Sequence, residues 1–251
     1  MAMRRGTLLV SDIDGTLVNS DDRLPNEFIR LLEEFRARGG LFTLATGRNL
    51  SMAKPVVEQI AVDLPVILNN GAVMYDTRHD MIVSQHTLSA ADVDMLVSAL
   101  HASEGEVVAF RADEVINHPH RQSQMHGISK VSFIGAAAPE IPRCLACRFS
   151  IVRSHQYCWD IGPRHVSKGS ALSNLVRTHG MGMSDVVAVG DNENDIDMIT
   201  RAGLGVAVAN ANPLLKRVAT LRTTQECRYG VAELIEHLLY TPAAQVIACG
   251  A

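Results

Sequence analysis

Carboxylates gather in two places in this chain, and the residue types around them point to chemistry. Ser11-Asp12-Ile13-Asp14-Gly15-Thr16 sets two aspartates on alternate positions, so on an extended segment both face the same way. Neighbouring carboxylates repel, and without a cation one of them tends to take up a proton. A divalent metal can hold Asp12 ionised as a nucleophile while Asp14 cycles a proton as general acid and base. Taken alone, the cluster reads equally as a capped turn, because Asp, Gly and Thr are common turn residues. Gly190-Asp191-Asn192-Glu193-Asn194-Asp195 is the second acidic run. Its hard oxygen donors suit Mg²⁺, which is usually held by few carboxylates and keeps waters. Asp191 is the candidate ligand, Asp195 a supporting partner behind it, and Asn194 a donor on the phosphate side. A calcium loop is excluded, because the required spacing of a glycine and a distal glutamate is missing.

Two further clusters could complete such a site. In Thr43-Leu44-Ala45-Thr46-Gly47-Arg48, the Thr46 hydroxyl and backbone N–H groups such as that of Gly47 could hold a phosphate oxygen. Arg48 either holds this loop in place or touches substrate. In Val166-Ser167-Lys168-Gly169-Ser170, a lysine sits at a helix start, where the helix dipole prefers an anion. The placement makes sense if Lys168 balances charge on a bound phosphoryl group and on Asp12.

The elements that must position these clusters alternate. Thr7 to Val10, Leu41 to Ala45 and Pro65 to Leu68 are short apolar runs with the look of buried parallel strands. Between them, a helix opens at Pro25 and closes at Gly39-Gly40, and another runs from Leu50 to Ile60 with a restart at Pro55. The pattern returns near the end. Ser167 caps a helix that stops at Gly180, Val186 to Val189 is a strand, and Ile196 to Ala202 is helical. Leu204 to Val208 is a strand, Asn212-Pro213 starts a short helix, and Val231, Leu234, Ile235 and Leu238 mark a last amphipathic one. The middle differs. A helix over Ala90 to Ala102 precedes strand candidates at Val107 to Phe110, Val115-Ile116, Val131 to Ile134, Phe149 to Val152 and Tyr157 to Ile161. A short helix from Glu140 to Leu145 separates them, which suggests an antiparallel sheet with helices on one face.

Composition narrows the partners. With a formal net charge of −4 there is no basic excess to draw a nucleic-acid backbone. Hydrophobic residues at 47% and aromatics at 4% imply a sizeable core filled by aliphatic side chains. Cys144, Cys147, Cys158, Cys227 and Cys249 are odd in number, which argues against a disulfide framework. Cys144 and Cys147 form a lone Cys-x-x-Cys without the second pair or nearby histidines that a zinc site needs. No apolar run is long enough to span a bilayer, so a reducing cytoplasm is the expected location.

Together the four clusters resemble the haloacid dehalogenase superfamily of phosphatases, and more narrowly its Cof-type branch, subclass IIB. Asp12-Ile13-Asp14-Gly15-Thr16-Leu17, Ala45-Thr46-Gly47-Arg48, Lys168-Gly169 and the run from Gly190 to Asp195 match that family's four motifs in order. Asn69-Asn70-Gly71-Ala72 and Trp159-Asp160-Ile161 resemble the segments where that branch's cap departs and returns. The resemblance implies an α/β fold: a Rossmann-like parallel-sheet core over 1–78 and 164–251, with an inserted α+β cap of C2B type over 79–163. It implies Asp12 as nucleophile, Asp14 as acid and base, and Mg²⁺ held by Asp12, the Asp14 backbone carbonyl and Asp191. Thr46, Gly47, Lys168 and Asn194 would bind phosphate, with Asp195 and Arg48 supporting them. A carboxylate at Asp14 looks like the phosphatase version rather than the dehalogenase. The expected activity is hydrolysis of small phosphorylated metabolites, sugar phosphates by similarity, through an aspartyl-phosphate. A phosphomutase-type phosphotransferase and a catalytically silent ligand-binding relative are the alternatives. The cap is shorter than in many relatives, and its His118, His120 and His126 either touch substrate or lie on surface loops.

Overall fold

The computed structural model describes residues 6–19, 21–119 and 125–240. The chain opens with β1 (Leu8–Ser11), α1 (Asn26–Ala37), β2 (Leu41–Leu44), α2 (Leu50–Val57) and β3 (Val66–Leu68), followed by the hairpin β4 (Val73–Asp76) and β5 (Met81–Gln85). The middle comprises α3 (Ala90–Leu100), β6 (Glu106–Phe110), β7 (Val115–Asn117), β8 (Lys130–Ile134), α4 (Arg143–Ala146), β9 (Phe149–His155) and β10 (Cys158–Pro163). It closes with α5 (Lys168–Thr178), β11 (Val186–Gly190), α6 (Ile196–Arg201), β12 (Leu204–Ala207), α7 (Pro213–Val218), β13 (Leu221–Arg222) and α8 (Cys227–Tyr240).

The main sheet has the order β13-β12-β11-β1-β2, and every pairing in it is parallel. Its central strands are buried along their whole length, as continuous apolar runs must be when helices cover a parallel sheet. The chain leaves β1 towards β2 on one side and later returns as β11 on the other. The carboxyl end of β1 is therefore a topological switch point, where open α/β sheets bind ligands. A second sheet, β7-β6-β8-β10-β9, is antiparallel throughout. Buried apolar residues of α3 and α4 pack on it to form a separate cluster, which includes Leu96, Leu100, Phe133, Leu145 and Ile161. This is the α/β core with an inserted α+β cap. No helix among the described residues is long and apolar enough to cross a membrane.

Several expectations need adjustment. The second helix does not restart at Pro55 but runs through it and ends at Val57, earlier than Ile60. The short cap helix starts at Arg143 rather than Glu140, because Pro142 disfavours a helical Ile141 and itself becomes the cap residue. The third sheet, β3-β4-β5, was not anticipated. Its strand β5 leaves Met81, Ile82 and Val83 exposed, so no alternation between buried and solvent-facing residues marks it.

Helix α5 carries Lys168 into the site, and both its ends follow from local sequence. Ser167 and Ser170 form a reciprocal capping box at the start. Gly180 adopts φ +69 at the end, and Met181 N–H donates to the Val176 carbonyl at 2.8 Å, closing a Schellman motif. Gly71 has a different role. At φ +99, a Cβ there would lie 2.2 Å from the Ser167 carbonyl oxygen, so glycine lets β3 approach the start of α5. Gly71→Ala is expected to lower stability by about 3 kcal/mol or more, adding a clash to left-handed strain, and Gly180→Ala by only about 1 kcal/mol. Urea denaturation of the two variants checks the contrast.

Candidate active site

Two loops at the carboxyl ends of β1 and β11, together with the first turn of α5, converge on one group of charges. Lys168 is fully buried. Its Nζ donates to Asp12 Oδ1 and to Asp195 Oδ1, both at 2.7 Å. Asp195 Oδ2 in turn accepts from the backbone N–H groups of Asp191 at 3.0 Å and Asn192 at 3.1 Å. Thr16 Oγ1 donates to Asp191 Oδ1 at 3.1 Å. Gly15, at φ +74, leaves this contact open, since a Cβ there would sit 2.5 Å from Asp191 Oδ2. Asp12, Asp191 and Asp195 each offer a carboxylate oxygen within 4.8 Å of the others.

The charges do not balance within the protein. Three carboxylates face one ammonium, leaving an excess equal to the charge of a divalent cation. Burial pushes the Asp12 carboxyl well above the usual carboxylate range, and Asp195 adds to this more than Lys168 takes away. Burial and Asp195 likewise push Asp191 up to about 7. Burial alone would depress the Lys168 pKa, but Asp12 and Asp195 outweigh it and hold the ammonium protonated. Hard oxygen donors with that charge excess fit a divalent metal. Asp195 commits both oxygens to Lys168 and the backbone, so Asp12 and Asp191 are the carboxylates left to face an ion.

The remaining expected residues divide. The Asp14 side chain is 57% exposed and lines the same cleft as Asp12. Arg48 grips it, with Nη2 to Oδ1 at 2.6 Å and Nε to Oδ2 at 2.9 Å. Nη2 of Arg48 also donates to Asp22 Oδ1 at 2.8 Å. Arg48 therefore holds the loop that follows β1. Thr46 is buried, and its Oγ1 accepts from the Arg48 N–H at 3.1 Å, which leaves the hydroxyl proton free to be donated. Asn194 is buried, and its Nδ2 donates to Asn70 Oδ1 at 3.0 Å. A cleft of about 630 Å³ is lined by Asp12, Asp14, Gly47, Arg48 and Asn194 on the core side. Lys130, Ser132, Ser154, His155 and Asp160 line it on the cap side.

The cap residues of this cleft carry no role in the sequence reading, although Asp160 interrupts an apolar strand and Lys130 begins one, which is a visible signal. His118 and His126 are exposed and do not line the cleft; His120 lies outside the described residues, and His155 lines the cleft instead. Cys144 and Cys147 are exposed, Cys227 is buried, and all the described cysteines are free thiols; Cys249 lies outside the described residues.

Residues 9–136 and 131–235 match the family described as haloacid dehalogenase-like hydrolase. An HMP-PP phosphatase of Serratia proteamaculans is 30% identical over 265 aligned residues, covering 94% of this chain and 96% of the relative. A phosphoglycolate phosphatase of Methanopyrus kandleri is 26% identical, with 93% and 97% covered. Among solved structures, a haloacid dehalogenase-like hydrolase from Bacteroides thetaiotaomicron superposes with a TM-score of 0.76 at 23% identity, over 93% of this chain and 100% of that one. A subclass IIB sugar phosphatase gives a TM-score of 0.76 at 18% identity, over 92% and 98%. The last two likenesses are of fold.

A carboxyl whose folded pKa exceeds its unfolded value weakens the fold as pH rises between the two. For Asp191 that window runs from the ordinary 3.8 up to about 7. A divalent cation shared by the ionised Asp12 and Asp191 would relieve the repulsion. Magnesium chloride should therefore raise the melting temperature more at about pH 8 than at about pH 6, where a proton competes for the site. Asp191→Asn should remove most of that difference in a thermal-shift assay.

Proposed function

Because the chain belongs to the haloacid dehalogenase-like hydrolases, we propose that it is a Mg²⁺-dependent phosphatase that transfers the phosphoryl group of a small monoester to Asp12 and then to water. One observation carries this reading: buried Asp12 and Asp195 meet on Lys168, with half-buried Asp191 beside them, at the switch point of a parallel sheet.

In this mechanism an Asp12 carboxylate oxygen attacks phosphorus in line with the leaving alkoxide. Lys168, fixed by Asp195, balances charge on Asp12 and on the phosphoryl oxygens. The free Thr46 proton, the Gly47 N–H and the Asn194 amide orient those oxygens. Asp14 protonates the leaving alkoxide and then takes a proton from the water that hydrolyses the aspartyl-phosphate. The Arg48-paired carboxylate of Asp14 corresponds to the base of the second step, and turning away from Arg48 accompanies its role as an acid. Asp12, Asp191 and the Asp14 backbone carbonyl would hold Mg²⁺, which would supply positive charge to offset that of the incoming phosphate.

The same reading divides the chain into a catalytic core, 1–78 and 164–251, and a C2B-type cap, 79–163. The two separate apolar clusters support this division. Sugar phosphates are the proposed substrates. The hydroxyl- and amine-lined cap wall of the cleft and the fold likeness to a sugar phosphatase favour them. The proposed location is the cytoplasm.

Asp12→Asn should cut turnover of 4-nitrophenyl phosphate by a factor of about 10⁴. Its melting temperature should hold, because the neutral isostere relieves repulsion and Lys168 keeps Asp195. Undiminished phosphate release from that variant would refute the assignment. Chelation of divalent ions should abolish release by the unmodified protein, and added Mg²⁺ should restore it.

A further inference from the structure

Asp160 lies in the middle of β10, in the cap, yet its carboxylate is buried and reaches the core. Oδ1 accepts from Ser132 Oγ at 2.5 Å. Oδ2 accepts from Lys130 Nζ at 3.1 Å and from Asn70 Nδ2 at 2.7 Å. Lys130 also donates to the Gly47 carbonyl at 2.9 Å, and its ammonium sits 4.3 Å from the centre of the Phe110 ring. A Cβ on Gly47 would lie 3.2 Å from Asn70 Oδ1 and 3.5 Å from Asp160 Oδ2, so the network packs directly on the backbone of that loop.

We propose that Asp160 is a positioning residue that acts through Asn70 to set the orientation of the Asn194 amide, and that it does so only when the cap is seated. The reasoning follows donor and acceptor chemistry. An ionised carboxylate can only accept, so the Asn70 atom facing it must be the amide nitrogen. Asn70 Oδ1 is thereby turned to Asn194. An amide oxygen can only accept in its turn, so Asn194 must present Nδ2 to it, as it does at 3.0 Å. Nδ2 keeps a second proton for a ligand. Asn194 Oδ1 is buried without a hydrogen-bond partner among the described residues, so none of them enforces this orientation from its other side.

The chain of contacts crosses from cap to core. Ser132, Lys130 and Asp160 belong to β8 and β10 of the cap sheet, and Asn70 and Asn194 to loops of the core. Asn70 is held at φ +54 immediately before Gly71, so its backbone is set by the core turn while its side chain answers to the cap. If β10 moves away, the Asn70 amide loses the partner that fixes its polarity, and Asn194 loses its own. Withdrawal of the cap thus unsets a group beside Lys168 without moving the core.

The inference rests on the phosphatase reading, and its test is a double-mutant cycle on 4-nitrophenyl phosphate hydrolysis. Asn70→Gly removes the middle link while tolerating the left-handed backbone and sparing the Lys130–Asp160 pair. Asn70→Gly and Asn194→Ala should each lower kcat/KM about 10-fold, and together still about 10-fold rather than about 100-fold. A multiplicative loss in the double variant, or wild-type kinetics in Asn70→Gly, overturns the relay. Asp160→Asn should show the same non-additivity with Asn194→Ala. Should it fail to fold because Lys130 loses its counter-ion, the Asn70→Gly cycle decides. Asp12→Asn run alongside separates the two ideas. Wild-type activity there overturns the phosphatase reading, while an inactive Asp12→Asn with multiplicative losses at 70 and 194 overturns the relay alone.

Discussion

The Lys168 ammonium, buried between Asp12 and Asp195, is the interaction on which this architecture turns. A fully buried lysine is costly unless paired, and two carboxylates at hydrogen-bond distance meet that demand. The group that stabilises the lysine is also what keeps a reactive carboxylate out of water. Lys168 does not neutralise the group completely. The residual negative charge is the physical basis for expecting a cation there, and the repulsion from Asp195 adds to burial in driving the Asp12 and Asp191 carboxyls upward.

Much of the remaining fold serves to bring these charges together. The parallel sheet places the ends of β1, β2 and β11 side by side. Helix α5 then has to enter with its first residue aimed at β1, against the preference of its dipole, and a capping box at Ser167 fixes the point of entry. Glycines act where backbone must come close: Gly15 against Asp191 and Gly71 against the start of α5. The cap closes the opposite wall of the cleft with a polar face built on its own apolar cluster.

The core strands and the four polar clusters were legible because three clusters end an apolar run, where a change of period marks the end of a strand, and the Lys168 cluster opens a capped helix. Asp12, Lys168, Asp191 and Asp195 do converge as their placement implied. Asp14 was harder to read. Alternation along an extended segment put it beside Asp12, but the chain turns at Gly15 and Arg48 draws the carboxylate outward. The hairpin of β4 and β5 carried no alternation, because both faces of β5 are exposed. Asp160 was conspicuous as a charge within an apolar strand and Lys130 as one at the start of another, yet nothing in one dimension reveals that they pair diagonally across adjacent strands. The histidines of the cap loops drew notice by residue type alone, and exposure separates His118 and His126 from the cleft.

The central position of β1 bears on how the chain emerges during synthesis. Its partner on one side, β2, follows within a few dozen residues, but β11 on the other side is made only after the whole cap. For most of translation the Leu-Leu-Val segment has one unpaired edge, and Asp12 lacks the lysine that offsets its charge. An apolar strand with an open edge is prone to pair with the wrong neighbour. The insertion that encloses the cleft thus also lengthens the interval in which the nascent polypeptide depends on chaperones or on speed to stay unaggregated.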